Sequence, residues 1–447
     1  MRKLRKMAVL QAACLLMTGT AAALPVLTGT AMTASAAQYE EIHSGDFSAR
    51  KYSDGIVITG YFGKATALEI PAELDGLPVR GIYSGYDDSI FPGSCVVASV
   101  TLPDSLQAIG AGAFMNLRNM EEITIPDSVT FIGEKAFYDC SFLTKVKLPK
   151  KLDVIPASCF ENCSYLKEIT MPEALTEIQT NAFKKCVKLK SVRIPQNTKL
   201  DKDAFRQCES MTEVTLGAGS VLSGEGIFMG CKKLETMHLP NSVTTIPNYT
   251  FEGCHALASV RIPRFCTMID NSAFANCRSL KEITLHENVK YVRKDAFLNC
   301  TQLEKITFFS SSCQIDDSAS TICNEKKDGK YVFSGTICGL SKSTANSYAD
   351  NYKVKFEALD TETAPLTGDG NCNGEVSVDD AQFVLKYYVN CSVAILVQDL
   401  TVMEKHNCDV NDDGKVDVID AQCILVWYVN NKVAEKPLSW QDLLRKY

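Results

Sequence analysis

Apolar residues return through most of the chain on a frame of 23, most plainly in Ala136–Pro149, AFYDCSFLTKVKLP. The frame, Ala-Phe-x-x-Cys-x-x-Leu-x-x-Ile/Val-x-Leu-Pro, places phenylalanine at Phe114, Phe137, Phe160, Phe183, Phe205, Phe228, Phe251, Phe274 and Phe297. Successive steps are 23 residues, apart from 22 between Phe183 and Phe205. Three residues after each Phe stands Leu117, then Cys140, Cys163, Cys186, Cys208, Cys231, Cys254, Cys277 and Cys300. The alternation Leu143, Val146, Leu148 predicts a short strand with one face inward, closed by Pro149, which cannot donate to a ladder. A fixed period with so many apolar anchors predicts stacked coils, each burying its face on its neighbours. The missing residue falls after Ile194, in a turn, where a loop absorbs it without shifting the strand.

The Cys-x-x-Leu-x-x-Ile-x-Leu-Pro frame is followed by a return such as Phe131-Ile132-Gly133-Glu134-Lys135-Ala136-Phe137. Together they resemble the bacterial BspA-type leucine-rich repeats, from Leu68 to Phe356. Residues 37–99 read as an N-terminal cap and first imperfect repeat, with strands at Ser48–Tyr52 and Ile56–Tyr61 around an Asp54-Gly55 turn. Regular repeats occupy 100–308. An irregular region and C-terminal cap occupy 309–359, ending in a short helix and a last strand before Phe356. Residues 360–366 form a polar linker. Ahead of the cap, Arg2, Lys3, Arg5 and Lys6 precede the apolar run Ala8–Leu16 and the small residues Ala34-Ser35-Ala36. That order is expected of a secretory signal peptide over 1–36, cleaved after Ala36. No later apolar run approaches the ~18 residues a membrane helix needs, so no membrane span is expected.

Nineteen cysteines would suit a disulfide framework, but eight occupy one repeat position. Equivalent residues on stacked strands lie about 4.7–4.9 Å apart, against about 3.8 Å between the Cβ atoms of a disulfide. A ladder of buried free thiols is expected instead. Strand residues beside the inward Ile or Val point to solvent and form a long sheet face. Lys147, Arg193, His238 and Arg261 lie in one row, and Glu168, Glu213 and Glu282 in the next. This face is expected to recognise a protein or a polysaccharide. It has no basic stripe, so no nucleic-acid partner is expected.

Chemistry concentrates at the C-terminal end. Residues 367–447 hold 13 acidic and 7 basic side chains, or −6 of the chain's −7. Two segments follow the calcium-loop pattern D-x-[DN]-x-[DN]-G with an acid at position twelve. In the first, oxygens come from Asp369, Asn371, Asn373, the Glu375 carbonyl, Ser377 and Asp380. In the second they come from Asp409, Asn411, Asp413, the Lys415 carbonyl, Asp417 and Asp420. Calcium is a hard cation that takes six to eight such oxygens, so two ions are expected. Each loop runs into a repeated helix, Ala381–Val389 and Ala421–Val429, and a linking helix is expected at Ile395–His406.

Paired loop-then-helix units with no helix before the first loop resemble a dockerin, over 367–433, with 434–447 as a tail. The expected fold is therefore multidomain: a β-rich leucine-rich-repeat solenoid followed by a small all-α dockerin with two calcium loop-helix repeats. The resemblance implies docking to a cohesin domain of a scaffold protein. It implies contacts from Val378, Asp379, Leu385 and Lys386, and from Val418, Ile419, Leu425 and Val426. Leu385 and Leu425 are also expected to be at least half buried, because loop-helix repeats pack on each other.

Dockerins often accompany glycoside hydrolases, whose chemistry needs two carboxylates about 5–10 Å apart across a cleft. Here every repeat follows one template, and His43, His238, His255, His286 and His406 form no constellation visible in their spacing. No enzyme is expected. The expected function is a secreted, cellulosome-associated, non-catalytic adaptor that presents its repeats from a cohesin-bearing scaffold. The alternatives are a cell-surface adhesin displayed through a cell-anchored cohesin and, behind it, a polysaccharide-degrading enzyme.

Overall fold

A computed structural model describes residues 39–83, 89–91, 96–359, 366–393, 400, 402–434 and 436–444. The expected signal peptide and linker residues 360–365 lie outside the described residues. The chain is a β-solenoid of about 13 turns followed by a small helical region. It forms two compact units, divided between Thr212 and Glu213.

The first unit opens with the cap. Strands Glu40–Ser44, Phe47–Tyr52 and Gly55–Tyr61 pair antiparallel, and the third lies parallel to Leu77–Ile82 of the first coil. The expected turn is therefore present, with one further hairpin ahead of it. Beyond the cap, strands stack in parallel. Lys145–Lys147 sits between Glu122–Thr124 and Glu168–Ile169, so that Ile123, Val146 and Ile169 share one row. Each coil carries a second short strand on its return, as in Phe131–Ile132, Val154–Ile155 and Glu177–Ile178.

The turn between the strands holds the core. Phe114, Phe137, Phe160, Phe183 and Phe205 are fully buried, and their rings stack in one column 5.2–5.3 Å apart. Two residues after each Phe the chain turns left-handed, on Asn116, Asp139 and Asn162 (φ 63°, 56° and 65°). Asn and Asp tolerate this conformation better than other non-glycine residues. The cysteines complete the turn. Cys140, Cys163 and Cys186 donate their thiols to the carbonyls of Phe114, Phe137 and Phe160 in the preceding coil, at 3.1–3.2 Å. A thiol thus fills an apolar slot and also satisfies a buried carbonyl, which valine cannot do. All seventeen described cysteines are free thiols, and burial raises the pKa of Cys140, Cys163 and Cys186.

The second unit repeats this plan. Phe228, Phe251, Phe274 and Phe297 form a stacked column, and Cys254, Cys277 and Cys300 donate to Phe228, Phe251 and Phe274. The left-handed position after Phe228 and Phe251 is held by Gly230 and Gly253. The irregular region is explained by an inserted hairpin. Glu325–Lys327 and Lys330–Val332 pair antiparallel around Asp328-Gly329, both with positive φ, as a tight hairpin turn requires. The inward row Ile283, Ile306, Ile337, Phe356 continues past the insertion in register. Helix α1 (Thr344–Tyr352) and strand Lys355–Ala358 close the solenoid, as the sequence leads one to expect.

Lys147, Glu168 and Arg193 of the first unit and Glu213, His238 and Glu282 of the second point to solvent. Arg261 does not share this freedom. It is partly buried against the helical region, so it is corrected here from a recognition residue to an internal contact.

Removing a column ring leaves a cavity that stacked coils cannot close, so Phe160→Ala is expected to destabilise by about 3–5 kcal/mol. Phe142→Ala removes a ring that is 51% exposed and should change stability by under about 1 kcal/mol. Urea unfolding followed by far-ultraviolet dichroism measures both. Equal losses would contradict the column as the source of cohesion.

Candidate metal centre

The helical region begins at Thr367 and contains α2 (Val378–Tyr388), α3 (Val402–Cys408), α4 (Val418–Tyr428) and α5 (Trp440–Leu444). α2 and α4 each start at a residue whose side chain caps them. Ser377 Oγ accepts from Asp379 N at 3.1 Å, and Asp417 Oδ1 from Ile419 N at 2.8 Å. The acid three residues on reaches back, so Asp380 Oδ2 accepts from Ser377 N and Asp420 Oδ2 from Asp417 N. The other oxygen of each acid accepts from the loop's third residue, Asn371 N or Asn411 N, at 3.2 Å. The twelfth residue therefore ties both ends of its loop to the helix start.

The first residue closes the ring. Asp369 accepts from Asn373 N at 2.9 Å and Gly374 N at 2.7 Å, and Asp409 from Asp413 N at 3.0 Å and Gly414 N at 2.9 Å. Gly374 and Gly414 carry φ of 92° and 85°, which an L side chain would strain. Asn371, Asn373, Asn411 and Asp413 each turn a side-chain oxygen back to the amide two residues on. The expected ligand residues are thus brought together twice, with the same bonding in each loop.

This donor set fits a hard cation. Asp369, Asp380, Asp409 and Asp420 are 0–7% exposed. In the first loop, among the described residues, neither Asp369 nor Asp380 has an ion-pair partner. Burial raises the pKa of Asp369 and Asp409, and pushes Asp420 up to about 7. Buried carboxylates so arranged favour a bound calcium ion over solvation. The Glu375 and Lys415 carbonyls stand at the seventh position. Ser377 and Asp417, at the ninth, serve as helix caps.

α2 and α4 pack through Ala381, Val384, Ala421 and Ile424. Leu385 and Leu425 are 40% and 43% exposed, so more than half of each is buried, as expected, while the remainder faces solvent. Val378, Ile419 and Val426 are exposed beside them, with Asp379 and Lys386, while Val418 is half-buried. Of the linking helix expected at Ile395–His406, the described residues show α3 at Val402–Cys408, and residues 394–399 and 401 lie outside the described residues. The presumed tail carries α5. Its Leu443 and Leu444 are buried in the same core, and Trp440 stacks on Trp427 at 5.2 Å.

Sequence spacing missed one cluster. Arg264, fully buried, donates to the carbonyls of His406 and Asp409 (2.9 Å to the latter) and to Thr367 Oγ1 at 2.9 Å. His406 stacks on Phe309, with ring centroids 3.7 Å apart, and Phe265 packs on the helical core. His406 Nε2 lies 2.7 Å from Glu287 Oε2, and His406 Nδ1 lies 3.2 Å from His286 Nδ1. Burial, with Arg264 adding to it, lowers His406 to about 4 and holds His286 well below its ordinary value. Burial alone would raise Glu287, but the His406 hydrogen bond and Arg264 outweigh it and hold its carboxyl well below the usual range. Neutral His406 therefore donates to Glu287 from Nε2 and accepts at Nδ1 from His286. The signal was positional. His286 and Phe309 stand where other repeats carry Pro126, Pro149, Pro172, Pro195, Pro240 and Pro263.

The cluster predicts a pH dependence. Free histidine titrates near 6.5, whereas seated His406, faced by Glu287, His286 and Arg264, stays neutral down to about 4. The unfolded state binds the extra proton, so this contribution is complete above pH 6.5 and is lost as pH falls toward 4. Both tryptophans, Trp427 and Trp440, lie in the helical region, so fluorescence of the whole chain follows its unfolding. Between pH 6.5 and 4 the wild type should lose on the order of 2 kcal/mol more than His406→Gln. Parallel losses would contradict the assignment.

Comparison with known proteins agrees with this geometry. The family described as BspA type leucine rich repeat region matches residues 86–212 and 198–326, and the dockerin type I domain matches 367–425. Among solved structures, a leucine rich cell surface protein from Faecalibacterium prausnitzii is 22% identical, with a TM-score of 0.43, over 72% of this chain and 96% of that one. A leucine-rich repeat protein from Bacteroides ovatus is 20% identical, with a TM-score of 0.43, over 72% and 100%. The pneumococcal vaccine antigen PcpA is 14% identical, with a TM-score of 0.41, over 72% and 99%. No curated protein matches the chain. Dockerin type I domains bind calcium and imply a cohesin partner, and neither matched domain is catalytic. No helix among the described residues is long and apolar enough to cross a membrane. The chain belongs to the BspA-type leucine-rich repeat family and carries a C-terminal dockerin type I domain.

Proposed function

We propose that the protein is a secreted, non-catalytic, cellulosome-associated adaptor. Its dockerin holds two calcium ions and docks onto a cohesin of a scaffold protein, and its repeats recognise a protein or a polysaccharide. The observation that carries this is the doubled loop, two rings of buried oxygens with the same bonding, each opening a helix with an exposed apolar flank. A bound cation supplies positive charge to each ring of buried carboxylates, where among the described residues only Asp409 has a guanidinium, Arg261, beside it. Asp380 and Asp420 transmit that order to the helix starts, because the same carboxylates cap α2 and α4. Val378, Leu385, Ile419, Leu425 and Val426 then form the apolar part of the cohesin contact, with Asp379, Lys386 and Val418 at its edge. Exposed apolar side chains gathered in this way mark a binding surface.

The cluster that most resembles an active site supports the non-catalytic reading. His286 and His406 are 6% and 7% exposed, and Glu287 bonds to Arg264 and Thr367, so these groups hold elements together beneath the dockerin. The solenoid acids Glu168, Glu213 and Glu282 stand exposed on open strands.

The test is capture of the full chain on immobilised cohesins in calcium and in chelator. Binding is expected in calcium alone. Asp369→Ala with Asp409→Ala should abolish it with solenoid dichroism intact. Leu385→Asp with Leu425→Asp should abolish it while calcium binding persists. Cohesin binding by the double Asp variant would overturn the calcium reading, and failure of every cohesin class would overturn the docking role.

A further inference from the structure

The two loops share their local bonding but not their surroundings. Among the described residues the first has no basic side chain paired with its buried acids, whereas the second faces the solenoid strand Ser259–Arg261. Arg261 Nη2 lies 3.6 Å from Asp409 Oδ2, the first residue of that loop, and Nε lies 3.7 Å from Asp412 Oδ1. Arg261 Nη1 also donates to the Asp412 carbonyl. The guanidinium packs against Gly414, where a side chain would overlap Nη2. Arg264, three residues on, donates to the Asp409 carbonyl and so holds this loop against the segment that carries Arg261.

We infer that Arg261 of the solenoid sets the calcium affinity of the second dockerin loop, lowering it while leaving the first loop untouched. The inference rests on the calcium reading above. Ligand charge alone would make the second loop the tighter, since Asp413 and Asp417 stand where the first has Asn373 and Ser377. A fixed positive charge beside Asp409 opposes a divalent cation there. At about 6 Å in a water-like dielectric that repulsion amounts to about tenfold in affinity. The coupling is reciprocal, so calcium in the second loop weakens the hold of Arg261 by the same factor. The repeats and the dockerin are thereby linked energetically, and the loops are made unequal by a residue about 150 positions away.

The test is calcium calorimetry on the full chain. Asp369→Asn silences the first loop, so the second is read alone. Adding Arg261→Gln should then tighten binding about tenfold, while Arg261→Lys, which keeps the charge, should hold it within about threefold of the parent. In an Asp409→Asn chain, which leaves only the first loop, Arg261→Gln should change nothing. Tryptophan fluorescence checks that each variant keeps its helical core. Unchanged affinity of the second loop in Arg261→Gln, or an equal change in both loops, would overturn the inference while the calcium reading stands. A chain in which neither loop binds calcium would overturn that reading and the inference with it.

Discussion

Four buried carboxylates govern the C-terminal helical region of this molecule. Asp369, Asp380, Asp409 and Asp420 are packed away from water, and each also accepts backbone hydrogen bonds that shape its loop. Leaving such groups charged without a counterion is costly, and protonating them weakens the caps they provide. A hard cation resolves the conflict. The same constraint explains why the loops lead directly into α2 and α4 and why the flanks of both helices stay open. The inner faces pack on each other and on α5, so among the described residues the outer apolar side chains of α2 and α4 are left exposed.

The solenoid meets a different constraint. Each coil is too small to hold a core, so the burial of its phenylalanine and leucines depends on the coil above and below. The cysteine at the turn contributes twice, as apolar volume and as a donor to a carbonyl that stacking would otherwise leave with a single partner. Hydrogen bonding at that slot favours a thiol over a hydrocarbon, and volume favours it over serine. The outward rows carry no such demand. Their mixed charges leave a solvated sheet face free to vary, which suits recognition.

Much of this was legible in the sequence because it is local and repeated. The 23-residue frame located the strands, the phenylalanine column and the thiol ladder, and the spacing of Asp369 to Asp380 and Asp409 to Asp420 located the loops. What escaped was contact between distant segments. Arg264 stands at a position held elsewhere by Asp127, Lys150 and Glu173, so nothing marked it as buried. Its partners in the helical region, 103 to 145 residues away, belong to a module with a different period. His286 and Phe309 were detectable only as departures from proline. The Trp440 helix was hidden because five residues carry too little periodicity to distinguish a helix from a tail.

On the function proposed above, two rings of buried oxygens bind two hard cations and docking depends on them. The most direct measurement is calcium content by equilibrium dialysis of the full chain at neutral pH and saturating free calcium, followed by elemental analysis. Two calcium ions per chain is the predicted result; a content of none, or a plateau at one, would contradict the account.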